Sequence, residues 1–411
     1  MPEGQALRRA ISRRHRIGLI ARFVFHTSTI VAILALTALL YNIGNQSFGL
    51  VAVQNTIEPE ALAVDGVPLE DLPAEQLVTI LAEHVSAGVL RRMESEQPFA
   101  QRSREDIYGL VLERVVSPQI LRSWSLVDSL FRRRQIETLV AAEYPGARLQ
   151  FRAWANVQLL RNPQSSTPAL AGVRTAILGS LWIVAITVLF AFPLGVGAAI
   201  YLEEYATDNW VNRIIETNIG NLAGIPSIIY GMLGLAIFVR GLEPLTSGAA
   251  LGLTDPTTAN GRTVLSAGLT LGLLVLPLII INAQEAIRAV PRSLRQAGYA
   301  LGATQWQTIW HHVLPGAMPG TLTGTILAMS RAIGETAPLV VVGAATYVVA
   351  DPTSPFAKFT ALPIQIYQWT ARPQDQFRNL AAAAILVLLV LLLSLNAGAI
   401  LLRNHYARRG Q

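Results

Sequence analysis

The chain has 411 residues, of which 52% are hydrophobic and 14% charged, and this composition is that of an integral membrane protein rather than a soluble domain. It contains no cysteine, which excludes disulfides, thiolate metal sites and cysteine nucleophiles. Lys358 is the only lysine and Ala357 precedes it, so no Gly-Lys-Ser/Thr loop is present to cradle a nucleotide phosphate. The net charge of +6 gives no basis for nucleic-acid binding, and any work drawn from ATP requires a partner protein.

Six apolar runs are long enough to cross a bilayer, for which a helix needs about 20 apolar residues. They lie at 19–42, 173–201, 214–239, 264–284, 317–346 and 380–402. The first run lacks a small-residue cleavage site, so we expect it to remain as an anchor. The sequence therefore predicts an all-α integral membrane protein with six transmembrane helices.

The positive-inside rule gives this bundle an orientation, because short cytoplasmic loops carry the excess of arginine and lysine. One side of the predicted membrane holds twelve basic residues: Arg8, Arg9, Arg13, Arg14, Arg16, Arg213, Arg288, Arg292, Arg295, Arg403, Arg408 and Arg409. The other side's short loops hold five: Arg240, Arg262, Lys358, Arg372 and Arg378. We predict that both termini and the loop at 285–316 are cytoplasmic, in the plasma (inner) membrane.

Residues 44–172 form the one large block outside the predicted membrane, with 15 acidic and 12 basic residues, and the topology makes it extracytoplasmic. The triplet Arg132-Arg133-Arg134 does not overturn this, because long translocated segments escape the charge rule. Apolar periodicity predicts helices around 77–85, 107–115 and 126–143, the last closed by Pro145-Gly146. Extended pieces at 49–54 and 148–153 can pair as a small sheet. We expect a compact, mostly helical domain.

The second and third spans carry polar residues that need partners. Glu203 and Glu204 end the second span, where they either pair with Arg213 or interfacial cations or act against a partner protein. The third span contains Gly224 and Pro226, which predict a kink. Its polar side chains either line a pathway or only pack against other helices. The candidate pathway residues are Glu216, Asn218, Asn221 and Ser227.

The loop at 285–316 has the pattern of two short amphipathic helices. Leu294, Ala297 and Leu301 form an apolar stripe after Pro291, and Gly302 stands where a helix ends in a left-handed residue. Thr304 and Gln307 form a capping box for a second helix, with Pro315 as its stop. We predict that this helix presents one apolar face, made of Trp306, Ile309, Trp310 and Val313. Two helices around a glycine corner would form a rigid surface feature.

The fifth span contains the sequence Arg331-Ala-Ile-Gly-Glu335-Thr336. Residues four apart share a helix face, so Arg331 and Glu335 can touch. Opposite charges inside a span are costly unless paired or hydrated, and such residues mark functional sites by default. The guanidinium suits a phosphate-like oxyanion because it donates two parallel hydrogen bonds. We expect Glu335 to hold Arg331 until an anion arrives; a permanent ion pair that locks the bundle is the alternative.

The same loop resembles the EAA loop of ABC-importer permeases, in which Glu-Ala-Ala, Gly, Ile and Leu-Pro stand at fixed spacings. Here the matching positions are Gln296, Ala297, Gly298, Gly302, His312, Leu314 and Pro315. Gln296, Gly298 and His312 depart from the usual residues, and Gln296 removes any charged contact that the usual glutamate makes. The resemblance implies a type I (MetI-like) permease core whose loop docks in a cleft of a cytoplasmic ATPase.

Five further motifs narrow the resemblance to phosphate-specific permeases of the PstA type. In order they are AIYLEEYA at 199–206, NLAGIPSIIYG at 221–231, RAVPRSLRQA at 288–297, RAIGETAPL at 331–339 and LPIQIYQW at 362–369. The resemblance implies a PstC-like second permease, a PstB-like ATPase dimer that binds ATP and Mg, and a PstS-like protein that delivers inorganic phosphate. Arg331, Glu335 and Thr336 would meet the phosphate in the translocation pathway.

The implied organisation has four parts: a basic terminus with the first span (1–43), the extracytoplasmic domain (44–172), the permease core (173–404) and a tail (405–411). The chain itself is expected to be no enzyme and to hold no cofactor. Two classes of alternative remain at this point. One is the permease of another oxyanion or solute importer, and the other is a proton-coupled secondary carrier or a membrane sensor.

Overall fold

The computed structural model describes residues 5–64, 66–96, 98–254, 260–344, 347–348 and 350–409. It is a bundle of long apolar helices with a smaller α/β unit attached to one end. Side chains at 5–13 and 405–409 are not described, so the predicted charges Arg8, Arg9, Arg13, Arg408 and Arg409 lie outside the described residues. The ends of the predicted first and last parts, 1–4 and 410–411, and the predicted span residues 345–346 also lie outside them.

The first helix, α1, spans Gln5–Ser47 and leads directly into the smaller unit. That unit consists, in chain order, of β1 (Phe48–Gln54), α2 (Ala74–His84), α3 (Ala87–Glu96), α4 (Arg104–Val111), β2 (Gln119–Ser123), α5 (Leu126–Phe131), α6 (Arg133–Glu143), β3 (Arg148–Ala153) and α7 (Val157–Arg161).

The three strands form one antiparallel sheet in the order β2-β1-β3. The predicted pairing of 49–54 with 148–153 is confirmed, since Leu50 lies opposite Phe151 and Val53 opposite Arg148. The short strand β2 was not predicted. As the central strand, β1 buries Val51 and Ala52 completely.

Two of the three predicted helices of this unit are confirmed as α2 and α4. The third prediction, one helix over 126–143, is wrong: α5 and α6 are separate because Arg132 leaves the helical region, with φ −121° and ψ 24°. The predicted helix end before Pro145-Gly146 is confirmed, since α6 ends at Glu143. Gly146 adopts the left-handed conformation, with φ +94°, which a side chain would disfavour.

The sheet is packed against the helical bundle rather than standing apart from it. Val51, Ile120 and Trp154 share one apolar core with Trp369 and Phe377 of the bundle. Two hydrogen bonds reinforce this contact: Gln376 Nε2 donates to the Ile120 carbonyl at 2.7 Å, and Asn379 Nδ2 donates to Ser123 Oγ at 2.8 Å. The smaller unit is therefore fixed to the bundle by packing as well as by the chain.

The bundle consists of α8 (Arg174–Ile200), α9 (Trp210–Ala223), α10 (Ser227–Gly234), α11 (Glu243–Thr246), α12 (Val264–Arg288), α13 (Arg292–Ala300), α14 (Gln305–Thr308), α15 (Leu314–Gly334), α16 (Ala337–Val342), α17 (Leu362–Thr370) and α18 (Asp375–Arg409). Its core lies between α8, α12, α15 and α16, where Ile183, Leu271 and Val342 are fully buried.

Four helices within the described residues are long and apolar enough to span a membrane: Arg14–Ser47, Arg174–Tyr205, Val264–Arg288 and Asp375–Leu401. They correspond to the first, second, fourth and sixth predicted spans. A fifth span is counted if the bent pair α9 and α10 is taken together. The remaining predicted span coincides with α15, which length and composition alone do not select. Six crossings thus stay a prediction.

The third predicted span is not one kinked helix. Between its two halves, Trp210–Ala223 and Ser227–Gly241, the chain bends by 106°, because Gly224, Ile225 and Pro226 leave the helical path. Two contacts hold the bend: Tyr230 donates its hydroxyl hydrogen to the Leu222 carbonyl at 2.7 Å, and Gly231 lies so close to Pro338 that a Cβ would come within 2.7 Å of its Cα.

The fifth predicted span is also interrupted. Helix α15 ends at Gly334, Glu335 is extended, and α16 runs only to Val342 before Gly343 turns the chain with φ +110°. Because Gly231 of α10 packs against Pro338 of α16, the breaks of the third and fifth spans lie side by side. The bundle therefore contains two neighbouring discontinuous helices.

Candidate functional site: a helical corner joined by one helix to a charged pair

The loop at 285–316 folds as α13, a corner at Gly302, and α14. Gly302 has φ +81°, the left-handed conformation predicted for it. The capping box is confirmed, since Thr304 Oγ1 accepts the Gln307 amide and the Gln307 side chain accepts the Thr304 amide at 2.9 Å. Pro291 caps α13 rather than lying in its first turn. The local sequence thus fixes the corner.

Pro315 does not end the second loop helix, as the sequence had led us to predict. The helix continues from Gln305 through a wide π turn at Ile309–Val313 into α15 and on to Gly334. In that turn the Leu314 amide bonds to the Ile309 carbonyl, five residues back. This wider spacing admits a proline, which has no amide hydrogen and would clash in a regular α-helix.

One uninterrupted helix therefore joins the corner to the charged pair. Gln305 and Arg331 are 26 residues apart on it, which corresponds to about 40 Å at 1.5 Å per residue. Arg331 lies in its last turn. A displacement of the corner is carried along this helix to the guanidinium, unless the helix itself bends.

The predicted apolar face of the second loop helix is divided between two environments. Ile309 and Val313 are buried, whereas Trp306 and Trp310 are more than half exposed and stack on each other at 5.4 Å. The predicted stripe on α13 is likewise not buried, since only Gly298 of that helix is. We call the exposed apolar side chains of this region the corner patch. It consists of Leu294, Tyr299, Leu301, Trp306 and Trp310.

Two ion pairs fix the corner to the end of the second span. Arg295 donates to Glu204 at 2.6 Å and also to the carbonyls of Ile287 and Val290, at 3.0 and 2.8 Å. The side chains of this pair are only 16% and 6% exposed. Arg288 donates to Glu203 at 2.5 Å. Glu203 and Glu204 thus do not pair with Arg213, which contacts Asp208 instead at 2.9 Å.

A third contact of the corner comes from the Gln305 side chain, which donates to the backbone carbonyl of Glu204. Beneath these polar contacts, Ala199, Ala283 and Val313 form a small buried cluster. The end of α8, the end of α12 and the corner are therefore one packed unit. Sequence reasoning missed these polar partners because they stand 85 to 101 positions apart in the chain.

The seven loop positions taken from the permease pattern fall in different places. Gly298 is buried because α13 packs directly on α14, and a Cβ there would meet Thr308 Oγ1 at 2.8 Å. Leu314 is half-buried at the start of α15. The remaining members, Gln296, Ala297, Gly302, His312 and Pro315, are exposed on the surface of the corner.

At the other end of the long helix, Arg331 Nε and Glu335 Oε1 are 3.4 Å apart. The predicted contact is present, but the two residues do not share a helix, because Glu335 lies one residue beyond the end of α15. The arginine side chain is 48% exposed and the glutamate 19%. Thr336 follows, half-buried, at the break before α16. The guanidinium is thus weakly held and partly open to other ligands.

The other candidate pathway residues lie along the bent third span. Glu216, Asn218 and Asn221 are exposed on α9, and the Asn218 side chain donates to the Ile214 carbonyl at 2.7 Å. Ser227 is half-buried at the first turn of α10. Four residues later Gly231 contacts Pro338, so Ser227 shares the region of the two helix breaks.

Residues 191–409 match the family described as the binding-protein-dependent transport system inner membrane component. The chain is 36% identical over 195 residues to the probable ABC transporter permease protein YqgH of Bacillus subtilis, a match that covers 47% of this chain and 59% of YqgH. It is 31% identical over 239 residues to the phosphate transport system permease protein PstA of Yersinia pestis, covering 58% of this chain and 73% of that protein.

Among solved structures, an inward-facing MetNI methionine ABC transporter chain aligns with 59% of this chain and 99% of its own length, at 18% identity and a TM-score of 0.43. The family match covers more than half of the chain, and the relatives are permeases rather than enzymes. The chain belongs to the binding-protein-dependent transport system inner membrane component family and is a permease subunit of an ABC importer, whose ATPase and substrate-binding protein are separate partners.

Proposed function

We propose that this chain is the PstA-type permease of an ATP-driven importer of inorganic phosphate. The proposal is supported by the similarity to the phosphate transport permease of Yersinia pestis and by the motifs at 199–206, 221–231, 288–297, 331–339 and 362–369. In this function it forms the translocation pathway with a PstC-like second permease. A PstB-like ATPase dimer binds ATP and Mg, and a PstS-like protein delivers phosphate.

The orientation follows from the same proposal. With six crossings, both termini and the corner are cytoplasmic, and residues 44–172 are extracytoplasmic. The corner patch is then the surface that enters a cleft of the ATPase. Exposed aromatic side chains that cluster on a rigid support are typical of the buried centre of a protein interface. Gln296 at the usual glutamate position makes that contact uncharged.

The observation that carries the mechanism is the single helix from Gln305 to Gly334. Closure of the ATPase dimer on ATP moves the corner, and the ion pairs of Arg288 and Arg295 move the ends of α8 and α12 with it. The same helix moves Arg331 relative to the bend at Gly224–Pro226. The pathway thereby alternates between inward and outward access without any group on this chain reacting.

Arg331 is the proposed phosphate contact. A planar guanidinium donates two parallel hydrogen bonds to an oxyanion, and its present partner makes one contact of 3.4 Å. Phosphate therefore displaces Glu335 from Arg331 when it passes, and Glu335 returns afterwards. Thr336 and Ser227 lie beside the two helix breaks, and we expect their hydroxyl groups to contribute to the same phosphate contact.

The test is phosphate uptake into proteoliposomes that contain this chain, its second permease, the ATPase and the binding protein. We expect Arg331→Ala to abolish uptake in a complex that still assembles. The matched control is Arg378→Ala, which removes an exposed pair with Asp375 of similar length, 3.3 Å, and is expected to transport normally. Uptake by Arg331→Ala at the wild-type rate would remove the proposed role.

Substrate and energy source are tested in the same vesicles. Excess sulfate or molybdate is expected to leave phosphate uptake unchanged, whereas competition by either anion would point to a different oxyanion importer. Phosphate uptake into the lumen is expected to require ATP in the lumen, where the ATPase lies. Uptake driven by a proton gradient without the ATPase would instead indicate a secondary carrier.

A further inference from the structure

The junction of α5 and α6 carries an exposed apolar and basic surface that the transport mechanism does not use. Leu130 and Phe131 are 66% and 83% exposed, although both are large apolar side chains. Arg132, Arg133 and Arg134 follow directly, and all three are exposed. We call these five residues the Leu130–Arg134 corner. An aromatic side chain next to clustered arginines is typical of a surface that lies in a membrane interface.

The Leu130–Arg134 corner is held against the end of the first span. The Val127 amide donates to Asn45 Oδ1 at 2.9 Å, and the Leu50 amide, just past α1, donates to Ser129 Oγ at 2.8 Å. Ser129 is buried in this contact. The position of α5 is thus fixed relative to the last turn of α1.

The length of α1 sets the depth of that turn. Large apolar side chains are exposed on α1 from Ile17 to Tyr41, a stretch of about 36 Å at 1.5 Å per residue. The hydrocarbon core of a bilayer is about 30 Å thick and its headgroup layers bring the total to about 40–45 Å. Asn45, one turn beyond Tyr41, therefore lies at headgroup level, and Val127 lies there with it.

Phe131 is only four residues from Val127, which on a helix is about 6 Å. It therefore lies within about 6 Å of the depth of Val127, in the interfacial region of the same leaflet, and its ring is 83% exposed. We propose that the Leu130–Arg134 corner binds the bilayer surface beside α1, with Phe131 and Leu130 at the acyl boundary and the arginines on anionic phospholipid headgroups.

The charges around the Leu130–Arg134 corner suit anionic phospholipid headgroups. Arg132 pairs with Asp128 at 3.3 Å and Arg133 with Glu137 at 2.9 Å, both as exposed pairs one helical turn apart. Such pairs are weak, so headgroup phosphates can replace the carboxylates at little cost. From Asp128 to Glu137 there are three arginines and two acids, which leaves a net positive surface. The Leu130–Arg134 corner would attach the smaller unit directly to the bilayer surface, in addition to the contact of this unit with α18.

The test uses the absence of cysteine from the chain. Phe131→Cys gives a single thiol for an environment-sensitive fluorophore on the full-length protein in nanodiscs of phosphatidylcholine with phosphatidylglycerol. The matched control is Val89→Cys, at an exposed apolar position on α3 of the same unit. We expect the label at 131 to emit at shorter wavelength than the label at 89 and to be quenched by nitroxide-bearing lipid.

The arginines are tested by Arg132→Gln, Arg133→Gln and Arg134→Gln together, combined with the label at 131. We expect less quenching by nitroxide lipid in this variant than in the protein that keeps its arginines. We expect the same decrease when the protein that keeps its arginines is placed in nanodiscs without phosphatidylglycerol. Quenching at 131 no greater than at 89 would overturn the proposal. So would quenching that is independent of anionic lipid and of the arginines. Protection of the label from both nitroxide lipid and aqueous iodide would also overturn the proposal, because it would show that protein covers the Leu130–Arg134 corner.

Discussion

Two arginines near opposite ends of the long helix, Arg295 on α13 and Arg331 in the last turn of α15, are held in opposite ways. At the corner, Arg295 contacts Glu204 and two backbone carbonyls, and both side chains of the pair are nearly excluded from solvent. At the far end, Arg331 makes one 3.4 Å contact with Glu335 and is 48% exposed. The first pair connects residues 91 positions apart, whereas the second connects neighbours four positions apart.

This difference separates structural charges from charges available for binding. A buried pair with several hydrogen bonds is costly to open, so the Arg295 pair joins the corner permanently to α8 and α12. An exposed pair of neighbours contributes little and exchanges readily, so Arg331 can take another anion. A permease that transmits motion needs a buried, permanent ion pair where the ATPase docks and an exchangeable ion pair along its translocation pathway.

The largest expected effect is that of Arg295→Ala. The change leaves the Glu204 carboxylate buried without a partner, which costs about 3–5 kcal/mol in buried pairs of this kind. We expect a marked loss of thermal stability of the purified protein and loss of ATPase binding. The measurement is thermal unfolding in detergent together with co-purification of the ATPase.

Arg288→Ala serves as the control for that prediction, because Arg288 is 58% exposed and Glu203, although only 12% exposed, keeps the hydrogen bond from the Gln284 side chain at 3.3 Å. Its loss is expected to lower stability less than the loss of Arg295. If both variants unfolded at the same temperature, the corner would not depend on the buried pair.

Glu335→Gln is expected to have a smaller effect on stability but a specific effect on transport. The single contact of 3.4 Å is long and Arg331 is 48% exposed, so folding should change little. Without the competing carboxylate, Arg331 should bind phosphate at lower concentration. The measurement is the phosphate dependence of uptake, and an unchanged half-saturation concentration would indicate that Glu335 does not compete with the substrate.

The smallest expected effect on transport is that of Gly298→Ala, which concerns packing within the corner. The added methyl group meets Thr308 Oγ1 at 2.8 Å, which costs about 1–3 kcal/mol when a packed site is overfilled, while alanine restores up to about 1 kcal/mol of helix propensity. We expect a small net destabilisation that Thr308→Ala reverses. A double-mutant cycle of unfolding temperatures tests this, and additive effects would show that the two residues do not interact.

Local signals in the sequence were sufficient for much of the corner. The capping box of Thr304 and Gln307 and the left-handed Gly302 are both set by residues close in the chain. The contact between Arg331 and Glu335 was predictable for the same reason.

Apart from the pairing of β1 with β3, interactions between distant segments were not predictable. Nothing near Glu203 or Glu204 indicates that their partners are Arg288 and Arg295. Pro315 predicted a helix end, but the π turn before it absorbs the proline and keeps the helix continuous. Helical spacing places Trp306, Ile309, Trp310 and Val313 on one side of the helix but does not say which of them a neighbouring element covers, and only Ile309 and Val313 are buried.

The continuity of the helix between the corner and Arg331 is tested most directly by a distance measurement across Pro315. His311→Cys and Leu327→Cys place two spin labels on exposed positions of the cysteine-free chain, 16 residues apart or about 24 Å along a helix. In the assembled transporter, double electron–electron resonance should give one narrow distance between the two labels, and this distance should be the same without nucleotide and with ATP. A distance that changes with ATP, or a second population, would contradict a rigid connection between the ATPase-facing corner and the charged pair.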